Sequence, residues 1–149
     1  MNGIHVDSFS TGIQQLDEGV KNRIYLALRW IDNAKHEQSS LDEFLKLWFS
    51  IETLIMPDTS NIKPIKEFLE NAYSLDAETV SSTFNIGKIC NLRSRIVHGG
   101  VNIGIHSQLI EYLKAIIYDY LCYLCKSGFE SKALGVINNK EYPAEEWMP

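Results

Sequence analysis

Hydrophobic residues recur three or four positions apart over long stretches of this chain, which few prolines and glycines interrupt. Such spacing places apolar side chains along one side of a helix. No stretch alternates apolar and polar residues for long enough to predict a sheet. The pattern therefore predicts an all-α protein, an up-and-down helical bundle of four long helices with one or more short ones. The predicted helices cover about residues 11–34, 40–56, 63–72, 84–97 and 105–126.

Polar residues and proline suggest where three of these helices begin. Ser10 or Thr11 suits the N-cap of the first helix, because a hydroxyl can accept a hydrogen bond from the free N–H groups of the first turn. Ser40 and Glu43 form a capping-box pattern at the start of the second. Pro64 lies in the first turn of the third, where its fixed φ is tolerated.

The remaining segments are predicted to connect or to follow the helices. Residues 74–82 read as a linker, and residues 127–149 form a tail of uncertain structure after a core of about residues 11–126. Trp147 in that tail is expected to dock on the bundle or on a partner. A chain of 149 residues is normally one domain with a sizeable core, so residues 1–149 are treated as a single domain.

Composition and charge narrow the class of protein. Hydrophobic residues make up 45% of the chain and charged residues 22%, which is typical of a globular protein and not of a disordered one. The longest apolar stretch, residues 115–125, is interrupted by Asp119 and is too short to span a bilayer. Residues 1–7 show no export signal. These features predict a cytoplasmic protein without a membrane segment.

The cysteines predict neither disulfides nor a metal site. The chain has three cysteines, an odd number that favours free thiols in a protein without export signals. Cys122 and Cys125 have CxxC spacing, yet they lie in an apolar helical stretch with no second pair of ligands nearby. They are predicted to be small buried residues. No cofactor is predicted.

One segment lacks acidic residues although the net charge of the chain is −5. Between Glu78 and Glu111 there is no Asp or Glu. This window predicts a local positive potential that a phosphate could use, while the overall acidity excludes broad coating of nucleic acid. The basic residues in the window are Lys88, Arg93, Arg95, His98 and His106.

Arg93 and His98 in this window are the strongest candidates for chemistry. The pair Gly99-Gly100 is predicted to end their helix with a left-handed cap. On an ideal helix the two side chains point about 140° apart, so they converge only if the helix ends at His98 or if a second copy completes the site. Alternatively, both residues simply interact with the C-terminal dipole of the helix.

The chemistry of the pair suits RNA cleavage without a metal. A neutral His98 can take the proton from a 2′-hydroxyl, while Arg93 holds the phosphate and its developing charge. Glu52 lies on or beside the buried stripe of the second helix. It is expected either to pair with Arg93 or Arg95 and orient the site, or to reach solvent at the rim.

A second Arg and His pair, Arg29 and His36, has similar spacing but acidic neighbours, Asp32 and Glu37. A phosphate at that pair would meet carboxylates as well as cations. The later pair is therefore preferred as the candidate site.

Two segments resemble a HEPN domain of the Apea-like group: LWFSIETL at residues 47–54 and LRSRIVHGG at residues 92–100. The likeness covers most of residues 11–126. It implies a helical bundle that forms homodimers, and a metal-independent endoribonuclease in toxin, anti-phage or RNA-processing systems. Arg93 and His98 match the family's Arg and His. Ser94 stands where the family often has Asn, Asp or His.

The resemblance also implies partners, and four further residues are candidates for supporting the site. RNA, a second copy of the chain and an antitoxin or regulatory protein are the expected partners. Arg95, Lys88, Ser94 and Glu52 are expected to support the site or to contact RNA. Two other functions stay open: a non-catalytic module that binds a nucleotide or a protein partner, and a purely structural dimerisation domain. A carboxylate of the same chain that holds Arg93 away from His98 would favour the module.

Overall fold

The computed structural model describes residues 10–149, and all regular structure within them is helical. The all-α bundle is therefore confirmed. None of these helices is both long enough and apolar enough to cross a membrane. The expectation about an export signal concerns residues that lie outside the described part.

Besides a short helical stretch at residues 10–14, the helices are α1 (Glu18–Lys35), α2 (Ser40–Ile55), α3 (Lys63–Tyr73), α4 (Ala77–Phe84), α5 (Ile86–Gly99), α6 (Ser107–Leu124), α7 (Lys132–Ile137) and α8 (Ala144–Trp147).

Helices α1 and α2 form a closely packed hairpin. Ser50 at its centre is buried, and its hydroxyl donates a hydrogen bond of 3.1 Å to the carbonyl oxygen of Ala27. Small residues at this point let the two backbones approach. The rings of Trp30 and Phe49 meet edge to face farther out, with their centroids 5.4 Å apart. The hairpin supplies one wall of the core.

The predicted start of the first helix is wrong. Asp17 accepts a hydrogen bond of 2.8 Å from the N–H of Gly19 and is the N-cap of α1, so the chain leaves the helical conformation at residues 15–17. The earlier candidate Ser10 lies inside the separate helical stretch. An aspartate at an N-cap accepts a hydrogen bond from a backbone N–H that has no acceptor within the helix. In a continuous helix, the same N–H would bond to a backbone carbonyl oxygen of the preceding turn.

The predicted cap of the second helix is displaced by one residue. Ser39, not Ser40, is the N-cap of α2, and its hydroxyl accepts a long hydrogen bond of 3.4 Å from the N–H of Asp42. The hydroxyl of Ser40 instead accepts a hydrogen bond of 2.9 Å from the N–H of Ile105. It therefore ties the start of α2 to the segment before α6.

The predicted linker at residues 74–82 is also wrong, because most of it is helical. Asp76 caps α4 by accepting a hydrogen bond of 2.7 Å from the N–H of Thr79, and α4 buries Val80 and Phe84. Asn85 adopts a left-handed conformation with φ of 54°, which separates α4 from α5. The fourth predicted helix therefore begins at Ile86 and not at residue 84. The third helix is confirmed, with Pro64 in its first turn.

Large side chains fill the centre of the bundle, among them Trp48, Phe44 and Phe84. Tyr112 is completely buried there, and its hydroxyl donates a hydrogen bond of 2.7 Å to the carbonyl oxygen of Phe84. Trp147 from the tail is also buried, with its ring centroid 5.5 Å from that of Tyr112. Its docking on the bundle is thus one of the two predicted outcomes.

A buried carboxylate fixes the tail to the bundle. Asp119 on α6 has no exposed surface, and it accepts hydrogen bonds of 2.9 Å from the N–H groups of Lys132 and Ala133. It also accepts one from the hydroxyl of Tyr73. Burial, and then the hydrogen bond to Asp119, raise the pKa of Tyr73 well above its usual value. Ser131 provides no side-chain cap for α7, so Asp119 takes that role from another helix.

The CxxC cysteines lie where the sequence predicts. Cys122 and Cys125 are buried and are free thiols, as Cys90 is also. Burial raises the pKa of both thiols above the ordinary value. Within residues 10–149, no group of three or more His, Cys, Asp or Glu side chains is placed to hold a metal ion.

Replacing Asp119 with alanine is expected to destabilise the fold strongly. Three donors would lose their acceptor in a buried site, and unsatisfied buried donors cost about 1–3 kcal/mol each, partly offset by relaxation and water entry. We expect the free energy of unfolding to fall by about 2–4 kcal/mol, measured by urea denaturation. Asp32 is exposed on α1, and Asp32→Ala should stay within about 0.5 kcal/mol of wild type. An equally small change for Asp119→Ala would show that these hydrogen bonds are not structural.

Candidate functional site

Helix α5 presents its apolar side to the core and its polar side to a pocket. Ile86, Ile89, Leu92 and Ile96 are buried at helical spacing, which orients the intervening residues outward. Gly99 is the last residue of the helix, and Gly100 is its C-cap, with a φ of 66° and an N–H that donates to the carbonyl oxygen of Arg95. A glycine at this left-handed position confirms the predicted terminator, one residue beyond Gly99.

Arg93 and His98 line the same pocket, whose volume is about 670 Å³. Cys90, Ser94 and His98 follow one another at intervals of one turn, and Arg93 lies beside them. Both residues line the pocket although they lie five positions apart on α5, and the helix continues for one residue beyond His98. The other lining residues belong to the end of α2 and the loop after it: Glu52, Met56, Pro57, Asp58, Thr59 and Ser60.

Glu52 links the core of the bundle to Arg93. The indole N–H of Trp48 donates a hydrogen bond of 2.7 Å to Oε1 of Glu52, and Nε of Arg93 lies 3.4 Å from the same oxygen. Nε of Arg93 is buried and has no hydrogen-bond partner within residues 10–149, so its contact with Glu52 is an ion pair without hydrogen-bond geometry. Of the two expectations for Glu52, the structure therefore shows the pairing with Arg93.

The ion pair is partly protected from solvent. The side chain of Arg93 is 23% exposed and that of Glu52 is 31% exposed, so water screens their attraction less than on an open surface. A guanidinium has five N–H donors, and the ion pair faces only Nε. Arg93 can thus be held by Glu52 while other donors of its guanidinium act on a ligand.

Two carboxylates line the pocket, although the sequence on either side of Arg93 and His98 contains no acidic residue. Glu52 and Asp58 precede the acid-free window, but the fold places both of them beside Arg93 and His98. The local positive potential predicted from the acid-free window is therefore opposed in this pocket by two carboxylates. Lys88 and Arg95 do not line it and are exposed elsewhere on α5.

A loop that sequence reasoning missed forms the opposite wall. Residues 57–60 are exposed and follow directly on the C-cap of α2, where the N–H of Met56 donates 2.9 Å to the carbonyl oxygen of Glu52. Thr59 accepts a hydrogen bond of 3.0 Å from the N–H of Asn61, whose side chain accepts one of 2.8 Å from the N–H of Lys63. These bonds order the second half of the loop, next to the start of α3. The only sequence signal was the helix end at Met56-Pro57.

Cys90 lies in the pocket but is a poor nucleophile. Burial raises the pKa of its thiol, Arg93 lowers it and Glu52 raises it, with a net increase. The thiolate, which is the reactive form, is correspondingly disfavoured. Arg93, His98 and the carboxylates are therefore the stronger candidates for chemistry in this pocket.

Other histidines and the second Arg and His pair lie elsewhere. His106 is the N-cap of α6, where its Nδ1 accepts a hydrogen bond of 3.0 Å from the N–H of Gln108. Arg29 is exposed on α1, and exposed His36 is the C-cap of that helix. None of these three side chains lines the pocket.

Comparison of the chain with protein-family models, with curated proteins and with solved structures found no match.

Replacing Glu52 with alanine is expected to weaken the link between core and pocket. Trp48 would lose a charged acceptor and Arg93 its counter-ion. We expect the free energy of unfolding to fall by about 2 kcal/mol, measured by urea denaturation with tryptophan fluorescence. Glu67 pairs with Lys63 on the open surface of α3, so Glu67→Ala should change stability by less than about 0.5 kcal/mol. If both variants are equally stable, Glu52 behaves as an ordinary surface residue.

Proposed function

We propose that this protein is a metal-independent endoribonuclease similar to the HEPN domains of the Apea-like group. The observation that carries the proposal is the presence of Arg93 and His98 in one pocket, with Glu52 beside Arg93. A cation for the phosphate and an imidazole for proton transfer are the two groups that cleavage through the 2′-hydroxyl needs. The helical bundle and the two resembling segments agree with this proposal.

In the proposed reaction, His98 acts first as a general base. Its neutral imidazole takes the proton of the 2′-hydroxyl while the 2′-oxygen attacks the adjacent phosphorus. The bond from phosphorus to the 5′-oxygen breaks, and the departing oxygen takes a proton from solvent water. The products are a 2′,3′-cyclic phosphate and a 5′-hydroxyl end. DNA lacks the attacking hydroxyl and would not be cleaved.

Arg93 is proposed to stabilise the charge that develops on the phosphate. Its guanidinium can direct several N–H donors at phosphate oxygens, which a lysine ammonium does less specifically. Glu52 would restrict the rotamers of Arg93, so less conformational freedom is lost when RNA binds. Ser94 adds a hydroxyl to the same wall, and Lys88 and Arg95 offer cations at the exposed side of α5.

A second copy of the chain is proposed to pack beside this pocket. Leu26 on α1 is 43% exposed, and Trp30 lies one turn farther along the same helix with its ring against that of Phe49. Val97, between Arg93 and His98 on α5, is 44% exposed. Exposed apolar side chains of this kind are typical of interaction surfaces when they cluster. A homodimer would cover them and could bring two sites together.

We further propose a cytoplasmic role in a toxin–antitoxin or anti-phage system. Such a role needs a protein that restrains the nuclease, and an antitoxin could cover the pocket or the apolar residues beside it. The resemblance in residues 47–54 and 92–100 supports this setting.

A second candidate is a module that binds a nucleotide or a protein without cleaving RNA. The ion pair of Arg93 with Glu52 favours it, because a paired arginine binds a phosphate less strongly than an unpaired one. However, the pair does not separate Arg93 from His98, since both line one pocket. The nuclease therefore remains the better-supported proposal.

Cleavage of a labelled structured RNA in EDTA tests the nuclease proposal. We expect His98→Ala and Arg93→Ala each to lower the rate by about a hundredfold or more, because each removes a group that acts in the transition state. His36→Ala and Arg29→Ala provide matched controls on α1 and should cleave at the wild-type rate. Circular dichroism checks that each variant is folded.

Two results would contradict the proposal. One is the absence of cleavage by folded wild-type protein, which would leave the binding module. The other is equal cleavage by wild type and His98→Ala, which would indicate either a contaminating nuclease or a mechanism without this histidine.

Sedimentation equilibrium tests the proposed homodimer. A charge at Leu26 would be buried in the interface, so Leu26→Asp should weaken association by about tenfold or more. Ile103 is exposed in the loop before α6, and Ile103→Asp is expected to leave association unchanged. A wild-type protein that is monomeric at all concentrations would exclude a stable homodimer.

A further inference from the structure

The pocket has two chemically different walls. Helix α5 supplies the N–H donors of the Arg93 guanidinium and the imidazole of His98, whereas the loop at residues 57–60 supplies a carboxylate and two hydroxyls. A nucleotide is complementary to these two walls. Its phosphate accepts hydrogen bonds, and its base carries N–H donors. If the phosphate binds at α5, the base faces the loop.

Asp58 is the carboxylate in the pocket that is available to a ligand. Glu52 already accepts from Trp48 and faces Arg93. Asp58 is exposed and forms no ion pair with any of residues 10–149. Two hydrogen bonds, from the N–H of Asn61 to Thr59 and from the N–H of Lys63 to Asn61, order the part of the loop that follows Asp58.

The size of the pocket suits one nucleotide. Its volume of about 670 Å³ lies within the range of sites for small molecules. Double-stranded RNA would not enter such a pocket, because a base reaches a protein with its Watson–Crick edge only when it is unpaired. The ligand is therefore a single-stranded segment, a loop or a bulge.

We propose that Asp58 selects an unpaired guanine in this pocket, a specificity that rests on the proposed nuclease function. An ionised carboxylate only accepts hydrogen bonds. Guanine presents two adjacent donors, N1–H and the N2 amino group, which can donate to both oxygens at once. Cytosine and adenine present one amino group next to an acceptor nitrogen, and uracil presents one N–H between two carbonyls, so each of them places acceptors near the carboxylate.

The test uses single-stranded DNA oligomers that contain one ribonucleotide, so that cleavage is possible at one bond only. The base at the ribonucleotide is varied among the four, and a second set varies the nucleotide on its 3′ side. Cleavage is measured in EDTA for wild type, Asp58→Asn and the control Asp32→Asn. Binding of the same oligomers is measured by fluorescence anisotropy with His98→Ala, with and without Asp58→Asn.

We expect guanine to be preferred by about tenfold or more in one of the two sets, which is typical of a bidentate contact to a base. Asp58→Asn should remove the preference, because its amide places donors against those of guanine. Asp32→Asn should keep it. The preference in binding should likewise disappear in the double variant.

Three results overturn the inference. Equal cleavage of all four bases by wild type contradicts guanine selection and leaves the nuclease proposal intact. A guanine preference that persists in Asp58→Asn excludes Asp58 as its source. If wild type cleaves nothing, the nuclease proposal fails, and equal binding of all four bases by His98→Ala then overturns the inference as well.

Discussion

A single carboxylate beside the buried stripe of α2 connects the core of this bundle to its candidate site. Glu52 can be tolerated there because the indole of Trp48 and the guanidinium of Arg93 both face it. Trp48 is one of the largest fully buried residues, so the position of the carboxylate is fixed by core packing. The position of Arg93 then follows from the carboxylate. Changes in the core around Trp48 should therefore reach the pocket without any residue of the pocket being replaced.

The spacing of hydrophobic residues predicted most of the helices. The helix boundaries that it predicted wrongly are set by polar side chains. The apolar stripes of α2, α3 and α6 gave their bounds to within about two residues, because burial of one face dominates the energy of such helices. The first helix and the linker were misjudged at Asp17, Asp76 and Asn85. Two of these residues bind backbone N–H groups and the third adopts a left-handed conformation. Such capping hydrogen bonds and backbone conformations begin or end a helix without changing the spacing of the hydrophobic residues.

The residues of the candidate site also fall into those that could be predicted from the sequence and those that could not. Arg93 and His98 could be found from the sequence because they lie within one helix, and Glu52 because it follows Trp48 by one turn. Asp58 and its neighbours could not, since an exposed polar loop has no periodicity and its place opposite α5 depends on how α2 and α5 pack. The same packing explains why an acid-free stretch of sequence faces a pocket with carboxylates. Charge along the chain is therefore a poor guide to charge in space here.

The capping of α7 by Asp119 has a consequence for the order in which the chain folds. A helix of six residues is too short to be stable alone, so α7 must form after or together with α6. The contacts of Asp119 with Lys132 and Ala133 close loops of 13 and 14 residues, whereas the contact with Tyr73 spans 46. Short loops close at lower entropic cost. We therefore expect the tail to fold onto α6 early and the approach of α3 to complete the network, which makes the α6–α7 unit a local folding nucleus at the C-terminal side of the bundle.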